Sequence, residues 1–309
     1  GISEICKAIA KDEKVADDET IKGKVVAVIS DGSAVLGLGD IGSKASLPVI
    51  EGKSLLYKEL ANVNAFPICI RQGSIEETVQ TIYNISGSFA AIHLEDFKAP
   101  ECFEIEEKLQ EKCDIVVYHD DQHGTAIALL AAMMNACKLS QKKFEEIKVV
   151  MCGAGASGLA SSKLLYDAGI HHIVLVDKQG IVNENNASNS YQKDFAKIVN
   201  PGNISGSIHD ALKDADVFVG LSDANVITGD DIKVMHDKPI VFALANPVPE
   251  IDPKLAKDNG AYIIGTGSGK YPNQVNNVLA FPGLFKGLLQ RRDIKHVSSD
   301  LKIQIAKGI

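Results

Sequence analysis

The chain has 309 residues, 45% of them hydrophobic and 23% charged, as is usual for a globular protein with a large core. A net charge of −8 argues against nonspecific binding to nucleic acid, and no apolar run reaches the ~18 residues of a membrane span. No signal-peptide pattern opens the chain, and the six cysteines show no paired metal spacing. We therefore expect a cytoplasmic protein with reduced thiols, which binds neither nucleic acid nor membrane.

The first part of the chain alternates short apolar runs with helical patterns. Strands are predicted over residues 25–29, 66–70, 90–94 and 115–118, and helices over 47–61, 75–84 and 102–112. Glu95-Asp96 follows the third strand and His119-Asp120-Asp121 follows the fourth. Ligands collect outside the carboxyl ends of strands in open α/β sheets, so both acid pairs are expected at one site.

A long apolar helix is predicted over residues 124–139, where it would bridge two domains. Beyond it the pattern alternates strand and helix again, with strands at 149–152, 174–176, 217–220, 240–243 and 263–264. The polar stretch 183–190 is expected to be a surface loop or flap. The fold class is therefore α/β.

A dinucleotide fingerprint follows the first strand of this second part. It reads Gly153-Ala154-Gly155-Ala156-Ser157-Gly158, and the next strand ends on Asp177. Glycines let the backbone approach a pyrophosphate, the helix N-terminus supplies donors, and the acid accepts from a ribose hydroxyl. A tight strand-to-helix turn alone would explain the glycines but not the acid. We predict a Rossmann-like, doubly wound domain that prefers NAD, with NADP possible because Lys178 could meet a 2′-phosphate.

The acidic residues Glu95, Asp96 and Asp121 offer oxygen ligands for Mg²⁺ or Mn²⁺. The alternative is that they are helix caps or solvated turn residues. Zinc is disfavoured, since His119 and His123 flank the acids without a thiolate.

Lys53 and three asparagines remain ambiguous from residue type alone. A buried lysine beside a cation could serve as a base, but Lys53 could equally be an exposed helix residue, and Lys58 lies close by. Asn246 follows a strand, and Asn276-Asn277 lies between two prolines. Their amides could bind a substrate carboxylate or the carboxamide of the cofactor, or simply belong to loops.

The order of these motifs resembles the malic enzymes, in particular the smaller bacterial type. The matching stretches run through almost the whole chain: Ser30-Asp31-Gly32, Leu36-Gly37-Leu38-Gly39-Asp40, Gly52-Lys53, Leu94-Glu95-Asp96, His119 to Thr125, Gly153-Ala154-Gly155, Ala243 to Pro247, Pro272 to Val278 and Phe281-Pro282-Gly283. The resemblance implies oxidative decarboxylation of L-malate to pyruvate and CO₂ with reduction of NAD(P).

The resemblance also implies roles for individual residues. Glu95, Asp96 and Asp121 would bind Mg²⁺ or Mn²⁺, Lys53 would take the proton of the substrate hydroxyl, and Asp120 would support them. Asn246 and Asn276 would bind substrate, with Asn277 close by and Asn246 also near the cofactor. The cofactor would be held by a larger set of residues: Gly153, Gly155, Ala156, Ser157, Gly158 and Asp177.

The chain departs from the family pattern at two places. Ser33-Ala34 stands where larger malic enzymes carry an arginine, so the substrate carboxylate needs another partner. The family also reads Tyr-Thr-Pro-Gly at its entry, and this chain opens at that glycine. We expect that the natural protein has an N-terminal segment with the tyrosine that serves as general acid. Neither Tyr57 nor Tyr118 is at the matching position.

By analogy with the family, residues 1–127 are expected to form a domain for substrate binding, metal binding and dimerisation, and residues 128–309 an NAD(P)-binding domain with a helical tail. The same analogy predicts a homodimer. The nearest alternative is a malolactic or oxaloacetate-decarboxylating enzyme on the same scaffold. A noncatalytic NAD-binding module is a more distant one. An amino-acid dehydrogenase would share the two-domain plan but leave the two acid pairs unexplained.

Overall fold

A computed structural model describes residues 1–309 and divides them into two compact units. The first unit contains residues 1–120 and 278–298, and the second contains residues 121–277 and 299–309. The units therefore differ in extent from the two predicted domains, because the segment 278–298 clusters with the N-terminal part of the chain. None of the helices combines the length and apolar character that crossing a bilayer requires.

The first unit is built on a parallel sheet of four strands in the order β2-β1-β3-β4. The strands are β1 (Val25–Ser30), β2 (Asn64–Cys69), β3 (Ala91–Leu94) and β4 (Val116–His119). Its helices are α1 (Ile2–Lys11), α2 (Val15–Glu19), α3 (Ser43–Ala61), α4 (Ile75–Ser86) and α5 (Glu101–Lys112), with a 3₁₀ turn at Lys22–Lys24. Strands β3 and β4 are buried along their whole length, as expected for parallel strands covered on both faces.

The second unit carries a sheet of six strands in the order β10-β9-β8-β5-β6-β7. The strands are β5 (Lys148–Cys152), β6 (His172–Asp177), β7 (Gly180–Ile181), β8 (Val217–Gly220), β9 (Ile240–Ala243) and β10 (Ile263–Thr266). All pairs are parallel except β6 with β7. Because β5 has β6 on one side and β8 on the other, the strand order reverses there, which is the ligand-binding crevice of a doubly wound sheet.

Eight further helices follow strand β4. They are α6 (Asp120–Ser140), α7 (Ala156–Asp167), α8 (Ser190–Val199), α9 (Ile208–Leu212), α10 (Gly229–Lys233), α11 (Pro253–Asp258), α12 (Phe281–Gln290) and α13 (Ser299–Gly308), with a 3₁₀ turn at Asn277–Leu279. The predicted α/β class, the parallel sheets and the strand positions are confirmed. Helix α6 begins four residues earlier than predicted, so Asp120 and Asp121 lie in its first turn.

Contacts between aromatic rings hold α12 in the first unit. The ring of Tyr57 on α3 packs edge-on against Phe281 and Phe285, with centroid distances of 4.8 and 5.3 Å. All three side chains are fully buried. Edge-to-face aromatic packing adds to the free energy gained from burying the rings, so these contacts hold α12 on α3.

Candidate active site

Acidic residues directly follow two neighbouring strands of the first unit. Strands β3 and β4 pair in parallel with Leu94 opposite His119, so the residues that follow them meet at one edge of the sheet. Glu95 and Asp96 follow β3, and Asp120 follows β4. Their exposed fractions are 5%, 3% and 0%. These carboxylates therefore lie inside the protein and are not solvated turn residues.

Lys53 reaches this edge from the buried face of α3. The buried residues of that helix recur every three or four positions: Ser46, Ile50, Lys53, Tyr57 and Ala61. Lys58 falls outside this stripe, is exposed, and donates to the side chains of Asn62 and Asn64 at 2.7 and 3.1 Å. The helical period thus separates the two lysines that residue type alone left equivalent.

The Lys53 ammonium is paired with two carboxylates. Its Nζ lies 2.7 Å from Asp120 Oδ2 and 3.0 Å from Glu95 Oε1. It also lies 4.6 Å from the centre of the Phe281 ring, where a cation is attracted by the ring face. Lys53 Nζ is therefore held at one place beside the acidic edge.

His93 and Tyr57 extend this network into the core. His93 Nε2 lies 2.6 Å from Glu95 Oε2, and His93 Nδ1 lies 2.8 Å from the Tyr57 hydroxyl. Both side chains are fully buried. Sequence reasoning missed this role of His93, although a histidine in the apolar run 90–94 directly before an acid pair was an available signal.

Burial shifts the acid–base properties of the cluster. It raises the pKa of Asp120, although the Lys53 and His93 charges oppose the change. It also holds the pKa of Tyr57 and of Tyr118 well above the usual value of 10, and the Asp120 carboxylate adds to both shifts. Both phenols therefore keep their protons at neutral pH.

The charge balance of this edge fits a divalent cation. Glu95, Asp96 and Asp120 are three buried carboxylates, whereas Lys53 is the one lysine or arginine among the buried residues of the chain. Burying negative charge without compensation is costly, and carboxylate oxygens are the preferred ligands of Mg²⁺ and Mn²⁺. The residues present thus suit the metal that the resemblance implies.

The loop after β1 closes over Asp96. The backbone nitrogen and the hydroxyl of Ser33 donate to Asp31 Oδ1 at 2.9 and 2.6 Å, and the backbone nitrogen of Ala34 donates to the Asp96 carbonyl at 2.9 Å. Asp96 has φ +59°, in the left-handed region that is uncommon outside glycine. The loop holds Asp96 in this conformation, and such strain is typical of ligand-binding positions.

The glycine-rich segment of the second unit borders a cavity of about 860 Å³. Gly153 has φ +109°, and a Cβ on Gly158 would overlap the Gly153 carbonyl oxygen. Gly155 lines the cavity, and α7 starts at Ala156, with Ser157 half-buried in its first turn. Asp177 lines the same cavity. The size and the glycine cradle fit a dinucleotide.

The other predicted residues of the second unit, Asp121, Asn246, Asn276 and Asn277, are not among those that line this cavity. Asp121 is half-buried in the first turn of α6. Asn246 follows β9 and is half-buried, with its Nδ2 3.5 Å from the Leu244 carbonyl. Asn276 and Asn277 are also half-buried; Asn277 begins the second 3₁₀ turn, and Asn276 directly precedes it.

Glu250 is a buried acid that sequence reasoning did not single out. Its carboxylate accepts from the backbone nitrogens of Ser222 and Ala245, both at 3.0 Å, and so ties together the loops after β8 and β9. Burial raises the pKa of Glu250 despite these hydrogen bonds. No sequence pattern marks this residue, because its partners are backbone groups of distant loops.

Comparison with known proteins gives consistent matches along the chain. Residues 7–110 match the family model of the malic enzyme N-terminal domain, and residues 122–309 match that of the malic enzyme NAD binding domain. The chain is 48% identical to an NAD-dependent malic enzyme from Geobacillus stearothermophilus, with all of the chain and 64% of that protein aligned. It is 46% identical to a bifunctional malic/malolactic enzyme from Bacillus subtilis (strain 168), with all of the chain and 76% of that protein aligned.

A solved structure agrees with these matches. The crystal structure of an NAD-dependent malic enzyme from Thermotoga maritima superposes on the chain with a TM-score of 0.96 at 45% identity. The match covers all of this chain and 82% of the other. The chain therefore spans from about two thirds to four fifths of the length of these three proteins.

Proposed function

Since this chain belongs to the malic enzyme family, a family of oxidoreductases, we propose that it catalyses the metal-dependent oxidative decarboxylation of L-malate to pyruvate and CO₂ with reduction of NAD. The observation that carries the proposal is the buried pairing of Lys53 with Asp120 and Glu95 at the acidic edge of the first sheet. Removing a lysine and its carboxylate partners from water costs free energy, and buried charged clusters of this kind are typical of functional sites.

In this proposal the acidic edge binds the metal and activates the substrate. Glu95, Asp96 and Asp121 provide the oxygen ligands for Mg²⁺ or Mn²⁺. Lys53 Nζ, in its neutral amine form, takes the proton from the C2 hydroxyl of malate and becomes an ammonium, and Asp120, 2.7 Å away, keeps Nζ at a fixed position. The positive charge of the metal also attracts a dianionic substrate to a protein of net charge −8.

The second unit carries the residues proposed to bind the cofactor. The pyrophosphate binds to the backbone of the glycine-rich turn, because glycines let a phosphate come close and the N-terminus of α7 offers N–H donors. The residues of this turn are Gly153, Gly155, Ala156, Ser157 and Gly158. Asp177 accepts from the hydroxyls of the adenosine ribose. Asn246, Asn276 and Asn277 bind the substrate through their amides, and Asn246 also binds the cofactor. A bound nicotinamide would accept the hydride of C2, and a bound divalent cation would polarise the C2 oxygen. The C3–C4 bond would then break, C4 would leave as CO₂, and the enolate left behind would take a proton at C3 from a general acid to give pyruvate.

The test is reduction of NAD and NADP by L-malate, with Mn²⁺ or with EDTA, together with a pyruvate assay. We expect NADH and pyruvate to form in equal amounts only when the metal is present. If this chain binds NADH but shows no turnover with Mn²⁺, and a version extended upstream through the expected tyrosine is equally inactive, the result would instead support a noncatalytic NAD-binding module.

A malolactic reaction is the second candidate, favoured by the match to the Bacillus subtilis enzyme that is named for both activities. It would use the same residues but retain the reduced cofactor and release lactate. Lactate formed without net NADH would identify it. The third reaction considered for this scaffold is the decarboxylation of oxaloacetate. Pyruvate formed from oxaloacetate without NAD would identify it.

We further propose that the chain forms a homodimer through the first unit. The amphipathic helix α1 has no buried residue, and α3 and β2 expose apolar side chains. Leu55, Leu60 and Phe66 are each close to 60% exposed. Helix α3 packs against β2, and exposed apolar side chains on adjoining elements are typical of a protein interface. Light scattering on Leu55→Glu/Leu60→Glu should give a monomer mass where the wild type gives a dimer mass.

A further inference from the structure

Gln192 connects the two parts of the predicted nucleotide site. It lies in the first turn of α8 and is 3% exposed. Its Nε2 donates to the Ala154 carbonyl at 2.9 Å and to Asp177 Oδ2 at 3.1 Å. Its Oε1 accepts from the backbone nitrogen of Ser188 at 2.9 Å. One buried amide thus joins the glycine-rich turn, the acid at the end of β6 and the loop before α8.

These contacts determine how the Asp177 carboxylate is presented. Its Oδ2 accepts from Gln192, and its Oδ1 accepts from the backbone nitrogen of Lys178 at 2.9 Å. A carboxylate has about four acceptor positions, so each oxygen keeps one for a further donor. Asp177 lines the cavity, and two hydroxyls on neighbouring carbons of a ribose match a carboxylate held with both oxygens available.

The same arrangement opposes a phosphate at that position. A 2′-phosphate would bring its negative charge against a carboxylate that two hydrogen bonds prevent from turning away. Lys178 and His209 line the same cavity and could receive a phosphate if Asp177 moved aside. Fixing the position of the Asp177 carboxylate therefore favours NAD, which has a free 2′-hydroxyl, over NADP.

We propose that Gln192 is a specificity-determining residue for the cofactor. By fixing the Asp177 carboxylate it favours NAD over NADP, in addition to supporting the glycine-rich turn. This inference rests on the proposed function, because it requires that the cavity bind a nicotinamide dinucleotide. A purely structural role would weaken the binding of both nucleotides to the same extent, so the ratio of the two affinities separates the readings.

The test is direct binding of NADH and NADPH to the full chain, followed by the fluorescence of the reduced nicotinamide without metal or malate. Gln192→Met keeps the length of the side chain and removes its amide. We expect its Kd for NADH to rise about tenfold and its Kd for NADPH to change less than about threefold. The substitution removes the hydrogen bond from Gln192 to the Asp177 carboxylate, and only NADH uses that carboxylate as an acceptor for its ribose hydroxyls. Gln80→Met, the same change at an exposed position on α4, should alter neither.

Asp177→Ala provides the second half of a double-mutant cycle. If Gln192 acts through Asp177, Gln192→Met should not change the NADH to NADPH ratio in the Asp177→Ala background. Gln192→Glu, which places a second carboxylate against Asp177, should also lower the preference for NADH, and it keeps the test valid if the methionine variant does not fold.

Three results would overturn the inference. An equal loss of NADH and NADPH affinity in both Gln192 variants would mean that the residue is only structural. Tighter binding of NADPH than NADH by the wild type would show that Asp177 does not exclude the phosphate. Binding of neither nucleotide by the wild type would refute the proposed function along with it.

Discussion

Lys53 and Asp120 form a buried ion pair, with Lys53 Nζ 2.7 Å from Asp120 Oδ2 and exposed residue fractions of 8% and 0%. The pair joins α3 to the residue that follows β4, and Glu95 from the end of β3 contacts the same ammonium at 3.0 Å. The position of the proposed base is therefore set by side chains from three separate elements.

Removing the lysine should affect both activity and stability. Lys53→Met should lower malate-dependent NADH formation about 10²–10⁴-fold, the usual contribution of a general base. It should also lower the free energy of unfolding by about 3–5 kcal/mol without metal, because buried carboxylates lose their counter-charge. Lys58→Met, in the exposed neighbour, should change neither. Urea unfolding and initial rates give the two measurements, and a Lys53→Met enzyme with wild-type rates would exclude Lys53 as the base.

His93 should influence metal binding through Glu95. In His93→Asn the Glu95 Oε2 loses its 2.6 Å partner, and the carboxylate is free to rotate. We expect the Kd for Mn²⁺ to rise about 10–100-fold, as is usual when a group that orients a metal ligand is removed. Titration followed by the electron paramagnetic resonance of free Mn²⁺ measures this without turnover. His171→Asn, an exposed histidine, is the control, and equal Mn²⁺ affinity in both variants would contradict the prediction.

Two glycines of the proposed nucleotide-binding turn should respond differently to alanine. A Cβ on Gly155 meets no atom within 4 Å and projects where the cavity is open, so Gly155→Ala should fold normally but bind NADH at least about tenfold more weakly. A Cβ on Gly158 would overlap the Gly153 carbonyl, so Gly158→Ala should also unfold at lower temperature. Thermal unfolding and NADH fluorescence separate the two effects. Equal melting temperatures for the two variants would argue against this difference.

Glu250 should make stability depend on pH. Its pKa is raised in the folded protein above the ordinary value of 4.5, so the fold binds this proton more tightly than the unfolded chain does. The stabilisation is complete below about pH 4.5 and is lost as the pH rises through the folded pKa. In Glu250→Gln this contribution is absent. The variant should therefore gain stability relative to the wild type as the pH rises above 4.5 and through the folded pKa, in paired urea titrations. A constant difference across that range would refute the assignment.

Cys152 should be unreactive although it lines the proposed cofactor cavity. Burial raises its pKa to about 11, so at pH 7.5 fewer than about one in a thousand of these thiols is ionised. Iodoacetamide should label the exposed Cys6 within minutes and leave Cys152 intact until urea unfolds the chain. Peptide mass spectrometry measures both sites. Rapid labelling of Cys152 in the folded protein would show that the cavity wall opens.

Much of this protein was readable from the sequence. Apolar runs marked the strands, the helical period marked α3 to α5, and the glycine spacing with Asp177 predicted the doubly wound sheet that the structure has. The acid pairs Glu95-Asp96 and Asp120-Asp121 could be assigned to strand ends because they interrupt apolar runs. These are local signals, since each depends on residues that are close together in the chain.

Only the tertiary structure decided which side chains meet. Lys53 differs from Lys58 in facing the core, and the distances from Lys53 to Asp120 and from Gln192 to Asp177 join residues from separate elements. The return of α12 to pack on Tyr57 likewise joins residues more than 200 positions apart. Local sequence sets backbone conformation and burial pattern, but hydrogen bonds and ion pairs of this kind form between elements whose approach depends on the packing of the whole unit.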